Sequence, residues 1–360
     1  MLSARGPAGE PSEASLTAAA DWLGRGWPVV VPSETVYGLA ARAVDRRAVA
    51  RVFEAKGRPS DNPLIVHVAS EAAVSQLDIE LSPLARALAR RFWPGPLTLI
   101  VPFGDRLPWV TAGLDSIALR VTDHPFFRAL LERTGALAAP SANRSGRPSP
   151  SLAAHAFEDL RERIPLVVDD GLVQHGLEST VVDTRDGSLR ILRHGAISRE
   201  QLREAAAGAG VELDVTQPGA GEAPRSPGLK YRHYSPRATM WLYRAGDDGA
   251  RQLRADAADL VARHFRVGAV TALPIEGVVV RQTPDCPQEL ARHLFRMLRE
   301  LDAEGVDYIL IQKPPPDGVG EAIIERLTRA AAAIRNWGEP LAREGRPGQR
   351  RSRAGGKAEK

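Results

Sequence analysis

Cysteine is almost missing from this chain: Cys286 is the only one in 360 residues. A lone thiol cannot close an internal disulfide, so a disulfide-stapled secreted scaffold is excluded and a reducing compartment fits. Zinc fingers fall with it, and the eight histidines show no metal-ligand spacing, so no metal site is expected in the protein itself. Aromatic residues are only 5%, offering few platforms for stacking nucleic-acid bases. No apolar run approaches the roughly 20 residues needed to span a bilayer. The opening MLSARGPAGEPSEAS lacks the apolar core of a signal peptide. The cytoplasm is therefore the expected compartment, without membrane contact. The usual nucleotide signatures are missing too: there is no GxxxxGK[ST] loop, no kinase set and no GxGxxG after a first strand.

What is present is the profile of a folded protein, 43% hydrophobic and 26% charged, long enough for two domains. The net charge of +4 is concentrated in the tail, REGRPGQRRSRAGGKAEK (Arg343–Lys360). Rich in Gly and Arg with few apolar residues, it is expected to be disordered. Weak, non-specific RNA contact is one use of such a tail, and plain solubility is the other.

Apolar strand-like runs alternate with helical patterns, which predicts an α/β class. Strands are expected at 28–32, 63–69, 97–102, 116–121, 137–140, 165–169, 179–183 and 189–193, with helices at 46–55 and 126–133 starting after Asp123. Helix-linked and directly joined strands together predict a mixed sheet. Residues 208–228, rich in Gly, Pro and Ala, mark a linker. From Ala238 a second series begins, with strands at 239–243, 268–273, 278–280 and 308–312 and helices at 252–264, 288–304 and 320–334. That alternation predicts a smaller, parallel, Rossmann-like sheet. The organisation is thus a flexible arm (1–14), a first domain (15–207), a linker (208–237), a second domain (238–337) and a basic tail (338–360). Cys286 is expected in the core of the second domain.

Polar clusters gather at strand ends, where α/β folds present ligand sites. They are VPSETVYGLA, with Ser33, Glu34 and Thr35; KGRPSDNPLIVHV, with Lys56, Arg58, Asn62 and His67; and SIALRVTDHP, with Arg120. APSANRSGRPSPS carries Ser141, Asn143 and Ser149; GLESTVVD carries Ser179 and Thr180; and ILRHG carries Arg193. A proline-stiffened cationic loop suits a polyphosphate when no helix N-terminus cradles it. Taken singly, each cluster also reads as a capped turn, a cation at a helix C-terminus or an internal salt bridge. Asp169-Asp170 resembles a metal pair, but a strand end running into the Gly171 turn is the simpler expectation.

In this order and spacing the clusters resemble the YrdC-like threonylcarbamoyl-AMP synthases, in their longer two-domain form. The resemblance runs from about Leu16 to Ala207 and on through SPGLKYRHYSP (Ser226–Pro236). It implies a YrdC-like twisted mixed sheet with helices, followed by the Rossmann-like domain. It also implies condensation of L-threonine, bicarbonate or CO2, and ATP with Mg2+, giving threonylcarbamoyl-AMP and pyrophosphate. A tRNA threonylcarbamoyl transferase complex would then take the product.

Residue by residue, the family's K-x-R signature falls on Lys56 and Arg58, and its S-x-N on Ser141 and Asn143. The resemblance assigns Arg58, Asn62, Ser141, Asn143, Ser149 and Arg193 to ATP or the adenylate, with Ser116 and Tyr231 also on the nucleotide side. Lys56 falls near the phosphates and, with Arg58, carries the catalysis. Thr35, His67, Arg120 and Ser179 fall to threonine. One departure is His194, where the family commonly has proline. The connector 226–236 is expected to fold over the site as a lid, bringing Lys230, Tyr231 and His233 toward the adenylate.

Overall fold

Alternation along the central strands decides which side chains face which layer. In Leu97–Pro102, Leu97, Leu99 and Val101 join one apolar cluster while Ile100 joins another with Ile65, Ala118, Val181 and Leu192. That period of two is what a sheet covered on both faces requires. The computed structural model describes residues 1–185, 187–208, 233–336 and 338.

The strands of the first domain are β1 (Leu2–Ser3), β2 (Val29–Val31), β3 (Gly38–Arg42), β4 (Ile65–His67) and β5 (Leu97–Pro102). They continue as β6 (Ser116–Arg120), β7 (Leu137–Ala138), β8 (Val168–Asp169), β9 (Thr180–Asp183) and β10 (Arg190–Arg193). Helices α1 (Glu13–Gly24), α2 (Arg46–Lys56), α3 (Pro83–Phe92), α4 (Pro108–Thr111), α5 (Pro125–Thr134), α6 (Ala153–Leu160) and α7 (Arg199–Ala207) intervene. Eight strands form one sheet in the order β10-β9-β5-β6-β4-β7-β3-β2. The pairs β4–β6 and β5–β9 are parallel and the rest antiparallel, so the sheet is mixed as expected. Leu84, Ala85 and Leu88 of α3 pack on Leu97 and Leu99. Leu16, Ala19 and Leu23 of α1 meet Phe126, Phe127 and Leu130 of α5.

The second domain holds β11 (Thr239–Tyr243), α8 (Asp247–Ala262), β12 (Val267–Thr271), β13 (Val278–Gln282) and α9 (Pro287–Ala303). It ends with β14 (Tyr308–Gln312), α10 (Gly320–Ala330) and β15 (Ala333–Arg335). Its five strands are all parallel, in the order β13-β12-β14-β11-β15, which matches the Rossmann-like expectation.

The structure corrects several expectations. The first residues are not a free arm: Leu2 and Ser3 pair with Val168 and Asp169, Ala4 is buried, and Arg5 pairs with Asp170. Asp170 also meets His124, and Asp169 accepts hydrogen bonds from the Tyr37 hydroxyl and the Gly171 amide. The Asp170 carboxylate thus serves the docking of the N-terminus, while that of Asp169 holds Tyr37 and the Gly171 turn. Strand β3 (GLAAR) had no strand signal, and the helix expected over 320–334 stops at Ala330 so that Ala333–Arg335 can pair with β11. Cys286 is exposed rather than buried; its sulfur caps α9 by accepting the Glu289 amide. The cap of α5 is His124, not Asp123. Residues 209–232, with Lys230, Tyr231 and most of the expected lid, and the tail beyond 338 lie outside the described residues. Among the described residues no helix is long and apolar enough to cross a membrane.

Candidate active site

The cationic loop owes its shape to the ends of α2. Asp45 caps the start by accepting the amides of Arg47 and Ala48. Gly57 ends it at φ 59°, the left-handed conformation that glycine adopts most cheaply. Lys56 then turns inward, buried, and its Nζ donates to the carbonyls of Ser141 (2.5 Å) and Asn143 (2.6 Å). Arg58 donates through one guanidinium nitrogen to the carbonyls of Asn62 (3.3 Å) and Pro63 (3.0 Å).

These groups open on a cavity of about 760 Å³, a figure that counts the open mouth. Thr35, Lys56, Arg58, His67, Arg120, Ser141, Asn143, Ser149, Ser179 and Arg193 all line it, drawn from six separate segments. Of the other residues singled out in the sequence, Asn62 is buried beneath Arg58 and off the cavity surface. Ser116 pairs with Pro102 at the far end of β6 from Arg120 and does not line the cavity, because a five-residue strand separates its ends too widely. Tyr231 lies outside the described residues.

The first wall is the turn after β2. Ser33 Oγ accepts the amides of Thr35 and Val36 and donates to the Val36 carbonyl at 2.6 Å, a hydroxyl-closed turn. Glu34 is buried there. Its Oε1 lies 2.6 Å from an Arg120 nitrogen, and its Oε2 accepts the Thr122 hydroxyl at 2.6 Å. Burial alone would raise the Glu34 pKa, but the Arg120 charge and the hydrogen bonds from Thr122 and Arg120 bring it down to about 2. Arg120 also donates to Thr35 Oγ1 (3.0 Å) and the Gly95 carbonyl (3.2 Å). With three of its five N–H groups so engaged, it is locked in orientation and keeps donors for a further acceptor.

The opposite wall comes from β9 and β10. Arg193 donates to the Ser179 carbonyl (3.1 Å) and hydroxyl (3.0 Å), and Ser179 Oγ also meets Thr98 Oγ1 at 2.7 Å. This close approach needs Gly195, where a Cβ would fall 2.3 Å from the Thr180 nitrogen. His194, at the departure from the usual proline, donates its amide to Glu325 of α10 at 2.9 Å, a bond proline cannot make.

The electrostatics of the cavity follow from cations taken out of water. Burial, with the Arg58 charge second, pushes Lys56 well below its ordinary value. Burial brings Arg58 down to about 10. His67 falls to about 3 through burial and the Arg120 charge, so its ring is neutral near pH 7. His233, from the connector, falls to about 4 through burial and the charges of Arg58 and Lys56. Four buried polar atoms of lining residues have no hydrogen-bond partner among the described residues: Arg58 Nε, His67 Nδ1, Asn143 Oδ1 and His233 Nε2. Buried polar groups are normally satisfied, so these four atoms are left for a polar ligand or water to meet.

Sequence reasoning did not single out Glu178, Ser145 or Phe127, which also line the cavity, nor Arg326 of α10 behind it. Glu178 lay inside GLESTVVD, so its motif was visible though its role was not. Phe127 stacks obliquely on His67 with centroids 5.0 Å apart; in the sequence it reads as an ordinary core position of α5.

Two family profiles cover the chain. One described as "Telomere recombination", built on Sua5, YciO and YrdC proteins, matches residues 21–195. One described as "Threonylcarbamoyl-AMP synthase, C-terminal domain" matches 197–332. A threonylcarbamoyl-AMP synthase of Pyrococcus abyssi is 39% identical, over 87% of this chain and 93% of that protein. One from Bacillus subtilis is 41% identical, over 84% and 89%. The crystal structure of P. abyssi Sua5 complexed with L-threonine superposes with a TM-score of 0.84 at 36% identity, covering 92% of this chain and 98% of that one.

Proposed function

The chain belongs to the threonylcarbamoyl-AMP synthase family in its two-domain form, and on that premise we propose that it condenses L-threonine, bicarbonate and ATP into threonylcarbamoyl-AMP and pyrophosphate. The observation that carries this reading is the convergence of Lys56, Arg58, Arg120 and Arg193 on one cavity. Carbamate, triphosphate and threonine carboxylate are all anionic, and fixed cations in a shielded site are the direct remedy for their repulsion.

Bicarbonate takes up a proton and loses water to give CO2; threonine's amine adds to the carbon of that CO2 and sheds a proton, forming a carbamate. A carbamate oxygen then bonds to the α-phosphorus as the bond to the bridging oxygen breaks, and pyrophosphate leaves with that electron pair. Arg58 and Arg193 would hold the nucleotide, with Ser141, Asn143 and Ser149. Lys56 would act first by fixing the Ser141–Asn143 backbone that its Nζ grips. Arg120, aimed by Glu34, would take the threonine carboxylate, beside Thr35, His67 and Ser179. A neutral His67 adds no charge there and can accept the ammonium or hydroxyl of the amino acid. Alignment of attacking and leaving oxygens supplies the remaining acceleration.

Among the described residues no group of three or more metal-ligating side chains comes together, and Glu178 is the one carboxylate on the cavity wall. Mg2+ therefore belongs to the nucleotide in this reading, entering on the phosphates, whose charge it lowers. The product would pass to a tRNA threonylcarbamoyl transferase complex in the cytoplasm. Pyrophosphate release measured with ATP, Mg2+, bicarbonate and single amino acids tests the proposal. Release that requires threonine and bicarbonate together is expected. Release indifferent to either one overturns it.

A further inference from the structure

The groups assigned to substrate all belong to the first domain, yet two buried arginines of the second domain reach segments that form the cavity wall. Arg299 of α9 donates to the Pro148 carbonyl at 2.5 Å and to Asp159 at 2.8 Å. Asp159 in turn accepts the Arg144 amide. Arg326 of α10, 1% exposed, donates through Nε to Glu178 Oε2 (2.8 Å) and through a terminal nitrogen to the His194 carbonyl (2.9 Å). Glu178 Oε1 accepts the Ser149 hydroxyl at 2.5 Å. A chain of contacts thus runs from the second domain through Glu178 to the cavity wall.

The chemistry of that chain fixes a direction. A carboxylate held against a buried guanidinium stays ionised. An ionised carboxylate only accepts, so the Ser149 hydroxyl must donate to it. The proton of Ser149 is then committed, and only its lone pairs remain for the cavity.

We propose that Arg326 is a positioning residue of the active site: through Glu178 it orients Ser149 as a hydrogen-bond acceptor that reads a donor on the nucleoside, not a phosphate oxygen. The inference rests on ATP being the substrate and extends it by giving the second domain a role in nucleotide recognition. A hydroxyl free to rotate would serve either partner; one held by Glu178 discriminates between them.

Isothermal titration of the full chain with ATP and with inorganic tripolyphosphate tests this. The pair Glu178→Met with Arg326→Met removes both charges at once, so neither is left buried alone. It should weaken ATP at least fivefold and tripolyphosphate less than twofold. Ser149→Ala should reproduce that selective loss, and Arg254→Met, exposed on α8, should change neither. Equal weakening of both ligands in Ser149→Ala, or unchanged ATP binding, overturns the proposal whether or not the paired variant folds. Arg326→Met alone should also raise KM for ATP more than it lowers kcat, a split that simple loss of stability does not produce. Wild-type protein that binds neither ligand would instead overturn the functional reading beneath it.

Discussion

Replacing Glu34 with glutamine keeps its shape and deletes one buried charge, which isolates what the Glu34–Arg120 pair contributes. Both side chains are 4% exposed, so solvent screening is slight. The carboxyl titrates at about 2 where its ordinary value is 4.5, and at about 1.4 kcal/mol per pKa unit this is worth about 3 kcal/mol at neutral pH. Breaking a buried ion pair from one side typically costs about 3–5 kcal/mol, an independent figure of the same size. With about 2 cal/mol/K of unfolding entropy per residue over roughly 200 residues, the melting temperature of Glu34→Gln should fall by about 7 °C. The sign with pH is fixed. A depressed carboxyl stabilises fully above 4.5, and the benefit is lost as pH falls toward 2. The gap between wild type and variant, read by urea unfolding, should therefore be full at pH 7 and narrow to about 2 kcal/mol near pH 3.5. A gap under 1 kcal/mol at pH 7, or one that does not narrow in acid, would refute the claim that this pair aims Arg120.

Arg58→Ala should lower kcat/KM by about a thousandfold, the scale seen when one stabiliser of transition-state charge is removed; pyrophosphate release at wild-type rate would show the site is misassigned. Lys56→Met, which frees the carbonyls of Ser141 and Asn143, should raise KM for ATP and cost about 1–3 kcal/mol of stability in denaturant titration. His67 and His233 are held to about 3 and about 4 against an ordinary 6.5. A depressed histidine destabilises the fold as pH drops below 6.5, so unfolding followed from pH 7 to 4.5 should show falling stability, and His233→Gln should flatten that slope. Chelation of Mg2+ should abolish pyrophosphate release and excess Mg2+ should restore it, as expected if the metal travels with the nucleotide.

Continuous apolar runs made β2, β5 and β6 plain in the sequence, because buried strands need no alternation to be noticed. Strand β3 was hidden since GLAAR has low strand propensity; it exists because β2 and β7 pair with it on both sides. The run AAAIR extends the helical pattern of α10, and only the unpaired edge of β11 draws Ala333–Arg335 into the sheet. The K-x-R and S-x-N signatures were legible because each is compact. Glu178 and Arg326 are separated by 148 positions, and neither carries a local pattern that names the other. The N-terminal strand was likewise unreadable: two residues have no periodicity, and their partner is β8.

That separation has a consequence for how the protein is made. At about 5–20 residues per second, the ribosome delivers Arg326 roughly 7–30 s after Glu178. During that interval the first domain can collapse around its own sheet, yet one carboxylate lining the pocket lacks its guanidinium partner. The Glu178 side of the cavity is therefore complete only once α10 has emerged and docked.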